Sequence, residues 1–176
     1  MSRILLIIDM QRFVEDRICK GVNYYPHDAI NNMEYVLKKF RKNKWLVAHV
    51  IHQSEGEDSL LNQYSPYYPV ITGFENDTDE PVFIKKTSSA FASTDLKKYL
   101  DDNAISEVVV IGAVAGFCVN STVRHGADLG MRMTVVKDAV ISFDLSGGRR
   151  EEKNIHDVTM NLLKADFARI TSSNEF

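Results

Sequence analysis

Two uninterrupted runs of aliphatic residues, Ile4–Ile8 and Val108–Ile111, are the clearest feature of the hydrophobic pattern. Runs of branched aliphatic residues without polar alternation are typical of strands that are buried on both faces of a parallel sheet. Asp9 ends the first run, and a turn with two glycines, 112–116, follows the second. We therefore predict two central strands whose carboxyl ends carry candidate functional groups, since ligands of such sheets bind at that edge.

Shorter apolar runs predict four more strands, at 45–51, 82–84, 132–136 and 167–171. Apolar residues also recur at helical spacing between the strands. This spacing predicts helices over 28–42, 95–100, 118–129 and 151–164. Strands that alternate with helices indicate an α/β fold, a three-layer α/β/α arrangement with a mostly parallel, six-stranded, Rossmann-like sheet. We expect one domain over 1–176, because this length suits a single core.

Two segments show little periodicity. The first, a mixed polar stretch from Met10 to Pro26, contains Cys19, and the second, 54–80, is rich in acidic, amide, tyrosine and proline residues. We expect both to be loops. A connection as long as the second usually has a function of its own, such as covering a site.

Composition and charge narrow the function classes. The chain has 176 residues, of which 44% are hydrophobic and 26% charged, and its net charge is −3. These values are ordinary for a globular protein, and no basic patch argues for nucleic acid. No apolar run is long enough for a membrane span, and the amino terminus does not resemble a signal peptide. Two cysteines without metal or redox spacing favour a reducing, cytoplasmic location.

Three polar residues follow predicted strands: Asp9, Lys85 and Cys118. Right-handed crossovers bring the carboxyl ends of all parallel strands to one edge, so these side chains can converge there. Cys118 also opens a predicted helix, whose amino terminus favours a thiolate. The three residue types suit acyl transfer through a thioester, with Cys118 as nucleophile, Asp9 as base and Lys85 as counter-charge.

Each candidate also has a non-catalytic explanation. A free cysteine often fills core space, and an aspartate after a strand often begins a turn. Among the five histidines only His52 follows a strand at the expected edge, which leaves a Cys–His dyad open as an alternative. The histidines show no metal-ligand spacing, and no glycine-rich phosphate or dinucleotide motif is present, so we predict neither metal nor cofactor.

Three segments in this order resemble the isochorismatase-like cysteine hydrolases, a family that includes nicotinamidases and N-carbamoylsarcosine amidohydrolase. They are Ile7–Gln11, then Lys85–Phe91 with Thr94 and Leu96, then Gly112–Val119 with Ser121, Thr122 and Gly130. The resemblance covers almost the full chain and implies that Asp9, Lys85 and Cys118 are catalytic. The family's lysine lies six residues before a phenylalanine, which selects Lys85 over Lys86. Lys86 is then expected to face solvent or to pair with an acidic neighbour.

The resemblance further implies a cis peptide bond between Ala113 and Val114. It also implies an oxyanion hole made by the backbone N–H groups of Val114 and Cys118. We expect substrate contacts from Gln11, Phe13, Phe117 and Phe143. Two features depart from the family pattern. Ala115 and Gly116 stand where members often have threonine and aspartate, and the nicotinamidase metal motif is absent after the predicted strand 45–51.

The expected function is hydrolysis of a C–N bond in a small amide or carbamoyl compound, without nucleic acid or membrane as partner. Nicotinamide is a less favoured substrate, because this chain lacks the metal-binding motif of the nicotinamidases that it resembles. A homo-oligomer, either a dimer or a tetramer, is expected. Two alternatives stay open: hydrolysis of a vinyl ether as in true isochorismatases, and non-catalytic binding of a small molecule on the same fold.

Overall fold

The computed structural model describes residues 2–176. Within this range the chain forms seven β-strands and five α-helices. The strands are β1 (Ser2–Ile8), β2 (Tyr24–Tyr25), β3 (Leu46–His52), β4 (Val82–Lys85), β5 (Ile105–Ala113), β6 (Arg132–Phe143) and β7 (Ala168–Thr171). The helices are α1 (Arg12–Cys19), α2 (Ala29–Lys42), α3 (Leu96–Asp102), α4 (Asn120–Asp128) and α5 (Glu152–Asp166). A π-helical turn, Ala115–Val119, joins β5 to α4.

The strands form one sheet in the order β2-β6-β5-β1-β3-β4, with β7 also paired to β6. The six predicted strands are all present and pair in parallel. The predicted strand number is wrong by one, because β2 pairs antiparallel with β6, with Tyr24 opposite Phe143. Two residues are too few to show an alternating pattern, so the sequence carried no signal for this strand.

Alternate residues of β1 face opposite layers, which explains why its apolar run is continuous. Ile7 belongs to a buried cluster with Phe13 of α1 and Val36 of α2. Ile8 belongs to a second buried cluster, on the other face, with Val123 of α4. The same second cluster includes residues of α3 and α5. The predicted three-layer α/β/α architecture is therefore confirmed.

Three local predictions differ from the structure. Residues 12–19 form helix α1 rather than a loop, so Cys19 is the exposed last residue of a helix. Strand β6 continues past Val136: its pairing with β5 shifts register across the polar residues Lys137 and Asp138 and resumes at Val140 and Ile141. The helix predicted from Cys118 begins at Asn120, after the π-helical turn.

Across residues 2–176, no helix is both long and apolar enough to cross a bilayer.

Gly112 allows β5 and β1 to approach closely at the functional edge. Its φ is +124°, and a Cβ atom there would lie 2.1 Å from the carbonyl oxygen of Ile8. Gly112 also lies opposite Ile8 in the strand register. A side chain would force these strands apart, so the glycine helps to keep the turn with Cys118 beside Asp9.

Candidate active site

Four neighbouring strands each deliver one polar side chain to the same edge of the sheet. In spatial order these are Cys118 after β5, Asp9 after β1, His52 at the end of β3 and Lys85 at the end of β4. Strand β1 lies between β3 and β5 in the sheet. The next long strand after β1 in the chain, β3, pairs on one side of it, and the later strand β5 pairs on the other side. The side chains thus gather at a point where the strand order reverses, which is where open α/β sheets bind ligands.

Lys85 lies at the centre of this group. Its side chain is 0% exposed. Its Nζ lies 3.0 Å from Asp9 Oδ2, 3.1 Å from Cys118 Sγ and 2.6 Å from His52 Nδ1. Lys86 is exposed, and its ammonium is 2.6 Å from Glu55 Oε1, as expected for the lysine outside the site. The structure therefore brings together the three residues that the sequence proposed, with Lys85 as the lysine.

The backbone at Asp9 turns sharply after β1. Its φ is +53°, in the left-handed region, which aspartate tolerates better than most residues. The Asp9 N–H donates to Val50 O at 2.9 Å, and the Gln11 N–H donates to Asp9 O at 2.8 Å. These bonds fix the carboxylate in place. Its Oδ1 is buried and has no hydrogen-bond partner among the described residues, which leaves one acceptor free beside the thiol.

Burial controls the protonation of the acid and the thiol. It raises the pKa of Asp9 above its ordinary value and outweighs the opposing charge of Lys85. Burial, and then the charge of Asp9, raise the pKa of Cys118 to about 12, although Lys85 opposes this. The sequence favoured a thiol ionised by a helix end, but Cys118 lies in the π-helical turn before α4 and next to a carboxylate. The raised pKa means that the Cys118 thiol keeps its proton at neutral pH.

His52 is the site residue whose contacts the sequence did not reveal. Its register partner across β3 and β4 is Lys85, a pairing that follows from strand alignment and not from any motif. Burial, and then the charge of Lys85, lower the pKa of His52 to about 4, so the ring is neutral. Its Nδ1 lies 3.9 Å from Cys118 Sγ but only 2.6 Å from Lys85 Nζ. This nitrogen is occupied by the ammonium, which makes Asp9 the better placed base.

Gln11 holds the end of β3 and is not open to a ligand. The side chain is fully buried. Its Oε1 accepts the His52 N–H at 3.0 Å, and its Nε2 donates to the carbonyl oxygens of His52 at 3.1 Å and Tyr68 at 2.8 Å. Both N–H groups of the Gln11 carboxamide are thus occupied by backbone carbonyl oxygens. Gln11, expected to contact substrate, is instead placed as a clamp between β3 and the 54–80 loop.

The three phenylalanines expected near the substrate are placed differently from one another. Phe143 is 0% exposed and Phe13 is 8% exposed, and both lie in the core cluster on the α1 and α2 face. Phe117 is 50% exposed and precedes Cys118 in the π-helical turn. Its backbone leaves helical values there, with φ −117° and ψ −107°. Phe117 is therefore the one of the three that is exposed to solvent beside Cys118.

The long 54–80 segment packs against the start of α1. The N–H groups of Arg12 and Phe13 donate to Pro69 O and Tyr67 O at 2.8 and 3.1 Å. The Ile71 N–H donates to Met10 O at 3.0 Å. These bonds attach the segment to the residues directly after Asp9. It thus forms one border of the site, consistent with a long connection that covers it.

The same edge also contains a set of possible metal ligands. A carboxylate oxygen of Asp9, a ring nitrogen of His52 and Cys118 Sγ lie within 4.8 Å of one another. Lys85 Nζ is within hydrogen-bonding distance of all three residues. The ammonium group of the Lys85 side chain therefore occupies the position that a metal ion bound to these three residues would take. That the protein works without a metal stays a prediction.

The cis peptide bond expected between Ala113 and Val114 is present at the end of β5, directly before the turn that contains Cys118.

The sequence profile of the isochorismatase domain matches residues 3–175, which is nearly the whole chain. The chain belongs to the isochorismatase family. As a member of this family it is a hydrolase.

Relatives support this assignment over the full length. The isochorismatase family protein YrdC of Bacillus subtilis is 28% identical, over 99% of this chain and 94% of its own length. Nicotinamidase 3 of Arabidopsis thaliana is 29% identical, over 97% of this chain and 85% of its own length. A crystal structure of an isochorismatase-family protein from Chromobacterium violaceum superposes with a TM-score of 0.90 and 27% identity, covering 99% of this chain and 91% of that one.

Proposed function

We propose that this isochorismatase-family hydrolase cleaves the C–N bond of a small amide or carbamoyl compound through a thioester on Cys118. One observation carries the proposal: Asp9, Lys85 and Cys118 meet at the ends of three strands, and Asp9 keeps one buried oxygen free. A base with a free acceptor beside a neutral thiol is what thiol-dependent acyl transfer requires. The name of the Arabidopsis relative, a nicotinamidase, also describes cleavage of an amide.

The first half of the reaction forms the thioester. Asp9 accepts the thiol proton while Cys118 Sγ attacks the carbonyl carbon, so a C–S bond forms and the carbonyl oxygen becomes negative. The backbone N–H groups of Val114 and Cys118 donate to that oxygen, and each such donor contributes about 3 kcal/mol. Lys85 donates to Sγ and so stabilises the developing thiolate.

The second half releases the nitrogen and restores the thiol. Protonated Asp9 gives its proton to the leaving nitrogen, the C–N bond breaks, and ammonia or an amine departs. Water then attacks the thioester while Asp9 takes its proton, the C–S bond breaks, and the proton returns to Cys118. Burial raises the pKa of Asp9, which suits a group that must hold a proton between these steps.

A substrate panel tests this proposal. The panel contains nicotinamide, N-carbamoylsarcosine, simple primary amides and ureido acids, with ammonia release as the readout. Isochorismate, with pyruvate release as the readout, represents the vinyl ether alternative. Cys118→Ala is expected to abolish ammonia release, whereas Cys19→Ala, which changes an exposed thiol on α1, leaves it unchanged. Turnover of isochorismate alone, or binding without turnover of any compound, would contradict the amide assignment.

We also propose a reducing, cytoplasmic location and a homo-oligomeric state. Cys19 and Cys118 are free thiols, which a reducing compartment preserves. Light scattering of the purified chain distinguishes a monomer from a dimer or tetramer.

A further inference from the structure

The ammonium of Lys85 has three protons, and each has one acceptor. The acceptors are Asp9 Oδ2, Cys118 Sγ and His52 Nδ1, and the contact with His52 is the shortest of the three at 2.6 Å. Lys85 is completely buried, so no bulk water replaces a missing partner. A buried ammonium with an unpaired proton is costly, and the three acceptors together define where this one sits.

We propose that His52 is a positioning residue of this site: its neutral imidazole accepts the third ammonium proton of Lys85 and thereby holds the ammonium against Asp9 and Cys118. The proposal rests on the proposed function, because it assigns His52 a role in preparing the Cys118 nucleophile. It assigns His52 no proton transfer to or from the substrate.

The charge state of the ring agrees with this role. A protonated His52 has no lone pair on Nδ1 and would place two cations 2.6 Å apart, so the contact requires the neutral form. Burial and Lys85 lower the pKa of His52 to about 4, which keeps the ring neutral under ordinary conditions. With Nδ1 as the acceptor, the single ring proton resides on Nε2.

The fold fixes the backbone of the residue that carries this imidazole. Gln11 accepts the His52 N–H and donates to the His52 carbonyl oxygen, at 3.0 and 3.1 Å. His52 also lies opposite Lys85 in the register of β3 and β4. The His52 ring therefore contacts Lys85 from a strand whose end is held by Gln11. An acceptor on a fixed strand can orient the flexible side chain of a lysine.

Loss of this acceptor has a defined consequence for the thiol. Lys85 lowers the pKa of Cys118 through its charge and its hydrogen bond, against the larger effect of burial. Without the His52 acceptor, β3 no longer holds the ammonium between Asp9 and Cys118, and we expect its contact with Sγ to weaken. Cys118 then loses part of the stabilisation of its thiolate and becomes less reactive at any given pH.

Alkylation of Cys118 measures this effect without knowledge of the substrate. All variants carry Cys19→Ser so that Cys118 is the only thiol. The rate of carbamidomethylation by iodoacetamide is followed by intact-protein mass spectrometry from about pH 6 to about pH 9, where the thiolate fraction changes tenfold per pKa unit. A chelator is present throughout, since variants of Lys85 expose the possible metal ligands.

Two variants of His52 distinguish the loss of its hydrogen-bond acceptor from a change in packing. His52→Leu has no acceptor, whereas His52→Asn places an amide oxygen near the former Nδ1. We expect His52→Leu to react about tenfold more slowly, the effect of one pKa unit, and His52→Asn to stay within about threefold of the wild type. The exposed histidine variant His27→Asn is the matched control and is expected to react like the wild type.

Two results would overturn the inference: wild-type rates in His52→Leu, or equal slowing in His52→Leu and His52→Asn. His52→Ala serves as the acceptor-free variant if the leucine variant does not fold. Lys85→Met separates this inference from the proposed function, because Lys85 lowers the pKa of Cys118. If Lys85→Met also reacts like the wild type, the thiol is not coupled to the ammonium and the proposed function fails. If Lys85→Met is slow while His52→Leu is normal, only the role of His52 is wrong.

Discussion

Two clusters in this protein contain the same three kinds of group, a carboxylate, a cation and a histidine, yet their chemistry differs. The Glu80 cluster contains Glu80, Arg41 and His49, and the Asp9 cluster contains Asp9, Lys85, His52 and Cys118. Their histidines both belong to β3 and lie three residues apart, so they point to opposite faces of the sheet.

The Glu80 carboxylate is fully paired. Arg41 donates to both of its oxygens at 2.8 Å, His49 Nε2 lies 2.8 Å from Oε2, and the Asp77 N–H donates to Oε2 at 3.0 Å. Burial alone would raise the pKa of Glu80, but these hydrogen bonds outweigh it and lower the pKa to about 2. The group stays ionised and stabilises the fold.

The Asp9 carboxylate is incompletely paired. One oxygen accepts a hydrogen bond from the Lys85 ammonium, and the other has no hydrogen-bond partner among the described residues. Lys85 also donates to Cys118 Sγ and His52 Nδ1, so its hydrogen bonds are divided among three acceptors. Burial therefore dominates, and the pKa of Asp9 is raised. Incomplete pairing thus leaves the pKa of a buried carboxylate raised, whereas complete pairing lowers it, and a raised pKa suits the base that we propose for this site.

The largest expected difference between the clusters is in catalysis. Asp9→Asn is expected to lower turnover by about 10³-fold, because an amide cannot accept the thiol proton. Glu80→Gln should leave turnover nearly unchanged and lower the free energy of unfolding by about 1–3 kcal/mol, because hydrogen bonds to a charged group are weakened. Ammonia release and urea unfolding measure the two effects. Wild-type turnover and pH dependence in Asp9→Asn would point to another base, with His52 first.

Removal of the central cation is expected to convert the Asp9 cluster into a metal site. Lys85→Met leaves a carboxylate oxygen, an imidazole nitrogen and a thiol within 4.8 Å of one another. We expect this variant to bind one Co²⁺ per chain, seen as a thiolate-to-cobalt absorption band, and to lose turnover. Lys86→Met is the control, since its exposed partner Glu55 belongs to neither cluster. Equal cobalt uptake by the two variants would show that Lys85 does not occupy the site.

The pH dependence of activity should report the raised pKa of Asp9. Only ionised Asp9 accepts the thiol proton, so kcat/KM falls as pH decreases through its pKa. Because burial raises this pKa above the ordinary 3.8, the acidic limb is expected above that value. A pH–rate profile of the wild type measures it. An acidic limb at or below the ordinary aspartate range would contradict the assignment of Asp9 as an under-paired base.

The pH dependence of stability should instead report the Glu80 cluster. A carboxylate with a lowered pKa stabilises the fold fully above its unfolded value and loses that contribution as pH falls. For Glu80 the window runs from 4.5 down to about 2. Burial lowers the pKa of His49 below 6.5, so its protonation favours the unfolded chain and acts in the same direction. Urea midpoints should therefore fall in acid, and less steeply in Glu80→Gln; parallel curves would refute this.

The smallest expected effect concerns the exposed pair between Lys86 and Glu55. Both side chains are mostly exposed, at 56% and 76%. Lys86→Met should leave the free energy of unfolding nearly unchanged, because solvent screens such pairs. Thermal unfolding of this variant beside Lys85→Met tests the choice of lysine. A larger loss in Lys86→Met would reverse that choice.

The sheet and its edge were predictable because they depend on patterns that the sequence shows directly. Uninterrupted aliphatic runs predicted the buried strands, and their ends located Asp9, Lys85 and Cys118. Helix α1 and strand β2 were missed, since one is short and polar on its outer face and the other has two residues. Their stability comes from packing and pairing with distant parts of the chain.

The finer assignments at the site depended on burial, which sequence spacing does not fix. Gln11 follows Asp9 by two residues, yet its side chain turns to the backbone of β3. Phe143 ends β6 on the face that packs against α1 and α2 and not on the open edge. The raised pKa of Cys118 likewise follows from burial beside a carboxylate, whereas its place before a helix predicted the opposite.

The most direct test is to look for an acyl group on Cys118 during turnover. Wild-type protein is mixed with the panel amide it hydrolyses, quenched in acid within the turnover time, and analysed by peptide mass spectrometry. The account predicts the mass of the acyl group on the peptide that contains Cys118, and its absence in Cys118→Ala. An unmodified Cys118 peptide, together with turnover of Cys118→Ala within about tenfold of the wild type, would contradict it.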